Sequence, residues 1–404
     1  MSPPTREPRH FAYIDAMRGV AFLGVLSVHC ADACGLFPGS ILAQQGGYGV
    51  QLFFLASAIT LCNSMSTRRE GRMELANFYL RRLFRIAPLF WLSMVVYWTV
   101  PGILPPIWLA QWAPNGIRES YFLLTALFLQ GWHPYAFNSI VPGGWSIAVE
   151  MTFYLVFPFC FHRIKTLRQA AVCVLFGVAL TVLERFRYRP MSSWLWPRVH
   201  DPTILGFFGQ YWFPSQFAVF LIGIFTYFLI KEPAVEKIYK DPFWSKWLFA
   251  LCSIFTLSLL NRTVTGFLPP FLVVIALAGT IISLAGNTIP WAVNSIIRYI
   301  GTLSYSCYLT HFVALGIILR GLEVLFPQYS LKSPSGVEKL DAGSPLYNLG
   351  FYFLVAVTTL ILTVIFSTIT HHLIENPGIK LGKLVIRSID KRALQPGKKS
   401  VPTV

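Results

Sequence analysis

Apolar runs of roughly helical membrane-spanning length recur along most of this 404-residue chain. Ten of them fall at about 14–33, 47–65, 84–101, 145–161, 169–183, 212–230, 247–261, 267–285, 299–320 and 348–370. They carry no repeated sequence signature, so they indicate a polytopic helical bundle rather than a repeat array. Composition agrees: 12% of residues are charged, about half the ~25% of an average soluble protein. Mean hydropathy is +0.57 and 55% of residues are hydrophobic. The N-terminus is polar and Pro-rich, and the first apolar run contains Arg18 and His29, so no cleavable signal peptide is expected.

An eleventh apolar piece, 120–132, is shorter than the ~17 residues a span usually needs. The distribution of basic residues decides its treatment. The loop 66–85 holds Arg68, Arg69, Arg72, Arg81, Arg82 and Arg85 and is the strongest cytoplasmic marker. The loop 31–46 has no Lys or Arg and reads as external, whereas the tail carries Lys380, Lys383, Arg387, Lys391, Arg392, Lys398 and Lys399. Both ends inside require an even number of spans. The expected fold is therefore an all-α integral membrane bundle of about ten transmembrane helices, with 120–132 as an additional re-entrant or interfacial segment. The domain plan is a cytoplasmic segment 1–12, a transmembrane domain 13–377 and a disordered basic cytoplasmic tail 378–404. Segments 184–211 and 321–346 are then the two long external loops, which could cover an extracytoplasmic acceptor or be ordinary connecting loops.

The net charge of +16 would suggest nucleic acid in a soluble protein. Here the basic residues cluster in a few loops and the tail, which fits positive-inside bias and attraction to anionic lipid; no nucleic-acid partner is expected. The seven Cys are odd in number, lack metal-ligand spacing and sit mostly in apolar runs, so they read as packing residues.

Ionisable residues inside the spans are costly and point to function. Arg18 and His29 are 11 positions apart, which at ~100° per residue is about three turns plus 20°, a climb of about 16 Å on one helix face. His29, Glu150 in VPGGWSIAVE and His311 in GTLSYSCYLTHF all fall in the outer half of the ~30 Å core. At one level they could form a relay in which Glu150 orients a base His. Arg82 and Arg85 are three apart where a cytoplasmic loop enters a helix, on one face, and could clasp phosphates or simply mark topology. Trp145 reads as a membrane-interface residue, and Ser304, Tyr305, Ser306 and Tyr308 as packing hydroxyls. There is no Gly-rich phosphate loop, metal-binding spacing or nucleophile elbow.

These motifs together resemble the acyltransferase-3 family of integral membrane acyltransferases. YIDAMRGVAFLGVLSVH is similar to its opening helix, with Arg, ten residues and His on Arg18 and His29. GGYGVQLFFLASAITL resembles its second helix, G-V-x-L-F-F-x-x-S-G, with Ala58 where a Gly is usual. NFYLRRLFRIAPLFWL matches its R-x-x-R segment on Arg82 and Arg85, and WSIAVEMTFYLVFP its W-S-x-x-x-E block on Trp145, Ser146 and Glu150. FLIGIFTYFL, GTLSYSCYLTHF and HHLIENP follow in order, so the likeness covers about 11–377. Ala16 and Met17 depart from a more usual Gly-Leu pair.

The resemblance implies an enzyme that moves an acyl group, commonly acetyl, from acyl-CoA to a hydroxyl of a carbohydrate. The acceptor would be a cell-envelope polysaccharide or its lipid-linked precursor, in a bacterial inner membrane with both termini cytoplasmic. Acyl-CoA would be a co-substrate, with no bound cofactor or metal. Arg18, Arg82 and Arg85 would bind the donor. His29, Glu150 and His311 would be catalytic, and Trp145, Ser146 and Tyr305 would support the acceptor or the site. His29 would act as general base or briefly carry the acyl group. The rival from another class is a proton-coupled transporter or flippase for a lipid-linked sugar, with His29, Glu150 and His311 as a proton relay. That rival has no need of two Arg at the cytoplasmic mouth, and the broken paired half-repeats of many transporters are not evident.

Overall fold

The computed structural model describes residues 12–34, 46–67, 73–100, 112–114, 116–260, 268–286, 288–326, 330–332, 338–340 and 345–393. Residues 1–11, Arg68, Arg69 and Arg72, most of the loop 31–46, parts of 321–346, and the tail beyond 393 lie outside them. The described chain is almost entirely helical. Its first half comprises α1 (Ala12–Ala33), α2 (Gly49–Thr67), α3 (Glu74–Thr99), α4 (Glu119–Ala126), α5 (Gly144–Arg163), α6 (Leu167–Leu195) and α7 (Pro202–Tyr211). There follow α8 (Phe213–Ile230), α9 (Pro233–Lys240), α10 (Pro242–Leu260), α11 (Leu268–Leu284), α12 (Ser295–Thr302) and α13 (Ser304–Leu325). A small antiparallel hairpin, β1 (Ser330–Lys332) and β2 (Glu338–Leu340), precedes α14 (Pro345–Thr370). A π-helical turn, His371–Glu375, then leads into α15 (Asn376–Ala393).

Nine of the ten expected spans each fall on one helix, while 299–320 is divided at Leu303 between α12 and α13. Among the described residues, eight stretches are long and apolar enough to cross a membrane, carried by α1, α2, α5, α6, the α7–α8 run, α10, α13 and α14. The other two expected spans are α3, which carries Arg81, Arg82 and Arg85 in its first half, and the shorter apolar α11. α4 has 8 residues, about 12 Å of helix, too short for a ~30 Å core. That agrees with a segment that does not traverse.

Two expectations are corrected. Segment 184–211 is not an open loop: α6 continues to Leu195, and α7 begins at Pro202. The start of α7 has a clear cause, since Asp201 caps the helix by accepting from Thr203 N–H and Ile204 N–H at 2.8 and 3.1 Å, with Pro202 in the first turn. The tail was expected to be disordered from 378, but it is helical to Ala393. It packs along α3, to which it is tied by Asn77 Nδ2 donating to Asp390 Oδ1 at 3.1 Å.

The interior is aromatic. Phe220 of α8 stacks on Phe54 of α2 and on Phe153 of α5, with centroids 4.6 and 3.9 Å apart, joining three helices in one wall. Ala58, which stands where the family's second helix usually has Gly, meets a glycine on the facing helix. A Cβ at Gly223 of α8 would lie 2.7 Å from the Ala58 Cβ. The small residue that lets α2 approach its neighbour is therefore supplied by α8. Toward lipid, α6 and α10 expose Leu175, Phe176, Leu183, Leu251, Ile254 and Phe255.

Candidate active site

Five helices meet around a cavity enclosing about 700 Å³ of empty space, part of it continuous with solvent. α1 contributes Arg18, α2 contributes Ser57 and Thr60, and α3 contributes Arg82 and Arg85. α5 lines it with Ser146, Glu150 and Tyr154, four residues apart and so on one helical face. α13 adds Tyr305 and Tyr308. Arg18, Arg82, Arg85, Ser146, Glu150 and Tyr305, six of the nine residues singled out from sequence, thus share one wall. Trp145 does not line it. It is buried behind, stacked on Tyr211 at 4.5 Å and edge-on to Phe54 at 6.3 Å.

The charges in the cavity are unequal. Three guanidinium groups face one lining carboxylate, Glu150. Arg18 donates from Nη2 to Thr60 Oγ1 at 3.1 Å and sits 3.8 Å from Asp15. Arg82 lies over the rings of Phe78 and Tyr154, 5.8 and 5.7 Å from their centroids. Its Nε is buried and finds no hydrogen-bond partner among the described residues. Arg85 acts electrostatically on both Arg18 and Arg82. Three like charges lining one cavity with a single carboxylate make it a site that favours an anion.

Glu150 is fixed by hydroxyls rather than by an imidazole. Its Oε1 accepts from Ser57 Oγ at 2.5 Å and from Tyr154 OH at 2.6 Å. The expected relay of Glu150 with the two histidines is therefore divided in space. His29 and His311 form their own pair, with ring centroids 5.4 Å apart, and Phe312 packs against both. Asp32 lies three residues further along α1 than His29, one turn away on the same side of the helix. His311 is fully buried, its Nδ1 lies 2.8 Å from the Tyr308 carbonyl, and its Nε2 has no partner among the described residues. A carbonyl only accepts, so in the neutral ring Nδ1 carries the hydrogen and Nε2 is the free acceptor.

Tyr308 connects the two halves. It lines the cavity, and its ring lies 5.8 Å from that of His311. Its hydroxyl donates to Gly143 O at 3.1 Å and accepts from Ser146 Oγ at 2.9 Å. Gly143 is required here on two counts: its φ is +74°, and a Cβ would lie 2.6 Å from the Tyr308 hydroxyl. Tyr305 OH donates to Ile86 O at 2.6 Å, pinning α13 to the helix of the arginines.

Several residues of the site escaped sequence reading. Ser57 stands on the Ser of the second-helix motif, and Tyr154 and Asp32 are helical-turn neighbours of Glu150 and His29. Those spacings were readable. Tyr308 was read as packing, and only the tertiary fold gives it a place between cavity and imidazoles.

Fold and site together define a polytopic helical membrane protein with an arginine-rich internal cavity. The chain belongs to the acyltransferase-3 family, whose acyltransferase domain matches residues 11–369. The O-acetyltransferase OatA of Staphylococcus aureus (strain NCTC 8325 / PS 47) is 28% identical over 171 residues, 39% of this chain and 26% of that protein. The peptidoglycan O-acetyltransferase OatA of Listeria monocytogenes is 25% identical over 165 residues, 39% of this chain and 25% of that protein. A putative O-acetyltransferase of Staphylococcus aureus (strain COL) is 23% identical over 407 residues, covering 93% of this chain and 58% of that one. The chain thus spans about a quarter of the first two relatives' length. No solved structure matches it significantly.

Proposed function

We propose that this chain is a membrane O-acyltransferase that moves an acyl group, acetyl by preference, from acyl-CoA to a hydroxyl of a cell-envelope carbohydrate or its lipid-linked precursor. The observation that carries this reading is the convergence of Arg18, Arg82 and Arg85 on one cavity with a single carboxylate. Guanidinium groups offer paired N–H donors to phosphate oxygens, and an unpartnered, buried Arg82 Nε suits such an anion. The named O-acetyltransferase relatives support the acetyl group, and the peptidoglycan enzyme among them supports an envelope carbohydrate.

In this reading the donor phosphates bind the arginines from the cytoplasmic side, and Glu150, fixed by Ser57 and Tyr154, balances the array. The pantetheine arm passes Tyr308 toward the histidine pair. His29 Nε2 or Nδ1 takes the acceptor's hydroxyl proton as that oxygen bonds to the thioester carbonyl carbon. The C–S bond then breaks, and the imidazolium returns the proton to the departing thiolate. Asp32 steadies the imidazolium, and His311 orients it. The protein works in a bacterial inner membrane with both termini cytoplasmic and residues 13–377 as its catalytic domain.

Membranes supplied with labelled acetyl-CoA test the reading. The expected result is acceptor labelling that falls about a hundred- to ten-thousandfold in His29→Ala. Labelling unchanged in His29→Ala would remove this histidine from the mechanism. Substituting Arg82 by Ala is expected to raise the donor KM about tenfold or more, the worth of a charge-assisted hydrogen bond.

A further inference from the structure

Three oxygens stand together at the end of the cavity nearest the imidazole pair. Ser146 is the first of the α5 residues that line the cavity, one turn before Glu150, and Tyr308 meets it from α13. Ser146 Oγ lies 2.9 Å from Gly143 O and 2.9 Å from the Tyr308 hydroxyl, which in turn lies 3.1 Å from Gly143 O. Three contacts share two hydroxyl hydrogens, so one contact always lacks a proton. The cluster therefore has alternative arrangements. In one, Ser146 donates to Tyr308 and Tyr308 donates to Gly143 O. In another, Ser146 donates to Gly143 O directly, and the Tyr308 hydrogen is released to turn into the cavity. The carbonyl stays bonded in both, since it also accepts from the Ser146 backbone N–H at 3.1 Å.

That freedom distinguishes Tyr308 from its neighbours. Tyr305 OH donates to Ile86 O, Tyr154 OH and Ser57 Oγ donate to Glu150, and Thr60 Oγ1 donates to Ala56 O. Turning any of these hydrogens away breaks a bond that no other hydroxyl replaces. Along α13, Tyr305 and Tyr308 line the cavity, whereas the ring of His311 lies beyond them, 5.8 Å from that of Tyr308. Phe53 meets the Tyr308 ring edge-on at 6.1 Å. The ring is thus held between cavity and imidazoles while its hydrogen has a choice of acceptor.

We propose that the Tyr308 hydroxyl is a catalytic hydrogen-bond donor to the thioester carbonyl oxygen, released for that task by Ser146, which takes over the bond to Gly143 O. The proposal rests on the reading of this cavity as an acyl-CoA site. As the acceptor oxygen bonds to the carbonyl carbon, the C=O π pair moves onto the carbonyl oxygen, where the Tyr308 O–H meets it. The pair returns to the carbon as the C–S bond breaks. The phenol keeps its proton throughout, and Ser146 is a positioning residue.

Steady-state kinetics with labelled acetyl-CoA, normalised to folded protein by thermal unfolding in detergent, test this. Tyr308→Phe is expected to lower kcat about a hundredfold, the worth of one donor to a developing oxyanion. Free CoA has no thioester, so its inhibition constant is expected to stay within about twofold of the parent. A Tyr308 that only packs would change the folded amount and leave kcat per folded molecule alone. Ser146→Ala leaves the Tyr308 hydrogen on Gly143 O and is expected to lower kcat about three- to tenfold, and Ser146→Thr, which keeps a hydroxyl, to recover most of that. Parental kcat in Tyr308→Phe, or in Ser146→Ala where Tyr308→Phe does not fold, overturns the inference and leaves the acyltransferase reading standing. A loss in Tyr308→Phe matched by a weaker CoA inhibition marks a collapsed cavity and overturns it as well. Parent membranes that transfer no label overturn both.

Discussion

His29 and His311 stand ring to ring, with centroids 5.4 Å apart, although they come from opposite ends of the sequence. Phe22 and Phe312 pack around His311 at 5.9 and 4.2 Å, so the inner imidazole is enclosed while His29 is only half-buried. In the proposed mechanism that asymmetry gives them different work. His311→Phe, which keeps a ring in place, is expected to lower kcat about tenfold or more without changing the donor KM. Steady-state kinetics in membranes check it; a shifted donor KM with parental kcat would contradict the assignment.

Two carboxylates, Asp32 and Glu150, can be told apart by which kinetic constant they move. Asp32 lies one helical turn from His29 on α1, whereas Glu150 is bonded to Ser57 and Tyr154 within the arginine cavity. Asp32→Asn is therefore expected to reduce kcat, and Glu150→Gln to raise the donor KM, each by about tenfold. The reverse pattern would restore Glu150 as the partner of the base.

Gly143 and Gly116 offer a matched pair, with φ of +74° and +73°. At Gly116 a Cβ meets nothing within 4 Å, but at Gly143 it meets the Tyr308 hydroxyl at 2.6 Å. Gly116→Ala is expected to cost about 1 kcal/mol of backbone strain. Gly143→Ala adds the displaced tyrosine, about 1–3 kcal/mol more. Thermal unfolding in detergent reads the difference, and only Gly143→Ala is expected to lose activity.

The α2–α8 contact makes a prediction about packing alone. Gly223→Val forces side-chain carbons into a space where the Ala58 Cβ would already lie 2.7 Å from a first added carbon. A loss of about 1–3 kcal/mol is expected from overpacking. Unfolding temperature measures it, and pairing the change with Ala58→Gly is expected to recover part.

How far the sequence could be read depended on whether one helix held all the information. Apolar length located the spans, and the 11-residue step from Arg18 to His29 falls wholly within α1, about 16 Å of height along one helix. Height, however, says nothing about position across the bundle. Glu150 and His29 were assigned one level, yet Glu150 turns to Ser57 and Tyr154 while His29 finds His311. The helix at Pro202 was signalled by the Asp201 cap, and the basic residues around it obscured that local cue. Glu375 was visible only as part of HHLIENP; its bond to Ser306 is a tertiary contact, and so is the seating of α15 against α3.

That seating has a practical consequence for where this domain ends. The family match stops at residue 369, one residue short of the end of α14 and before the whole of the π-helical turn and α15. A protein trimmed at this homology boundary would keep the expected spans to within one residue, and the His29–His311 pair. It would lose the helix that braces the arginine-bearing one, and fusion tags or truncations are best placed beyond Ala393 rather than at the edge of the recognised domain.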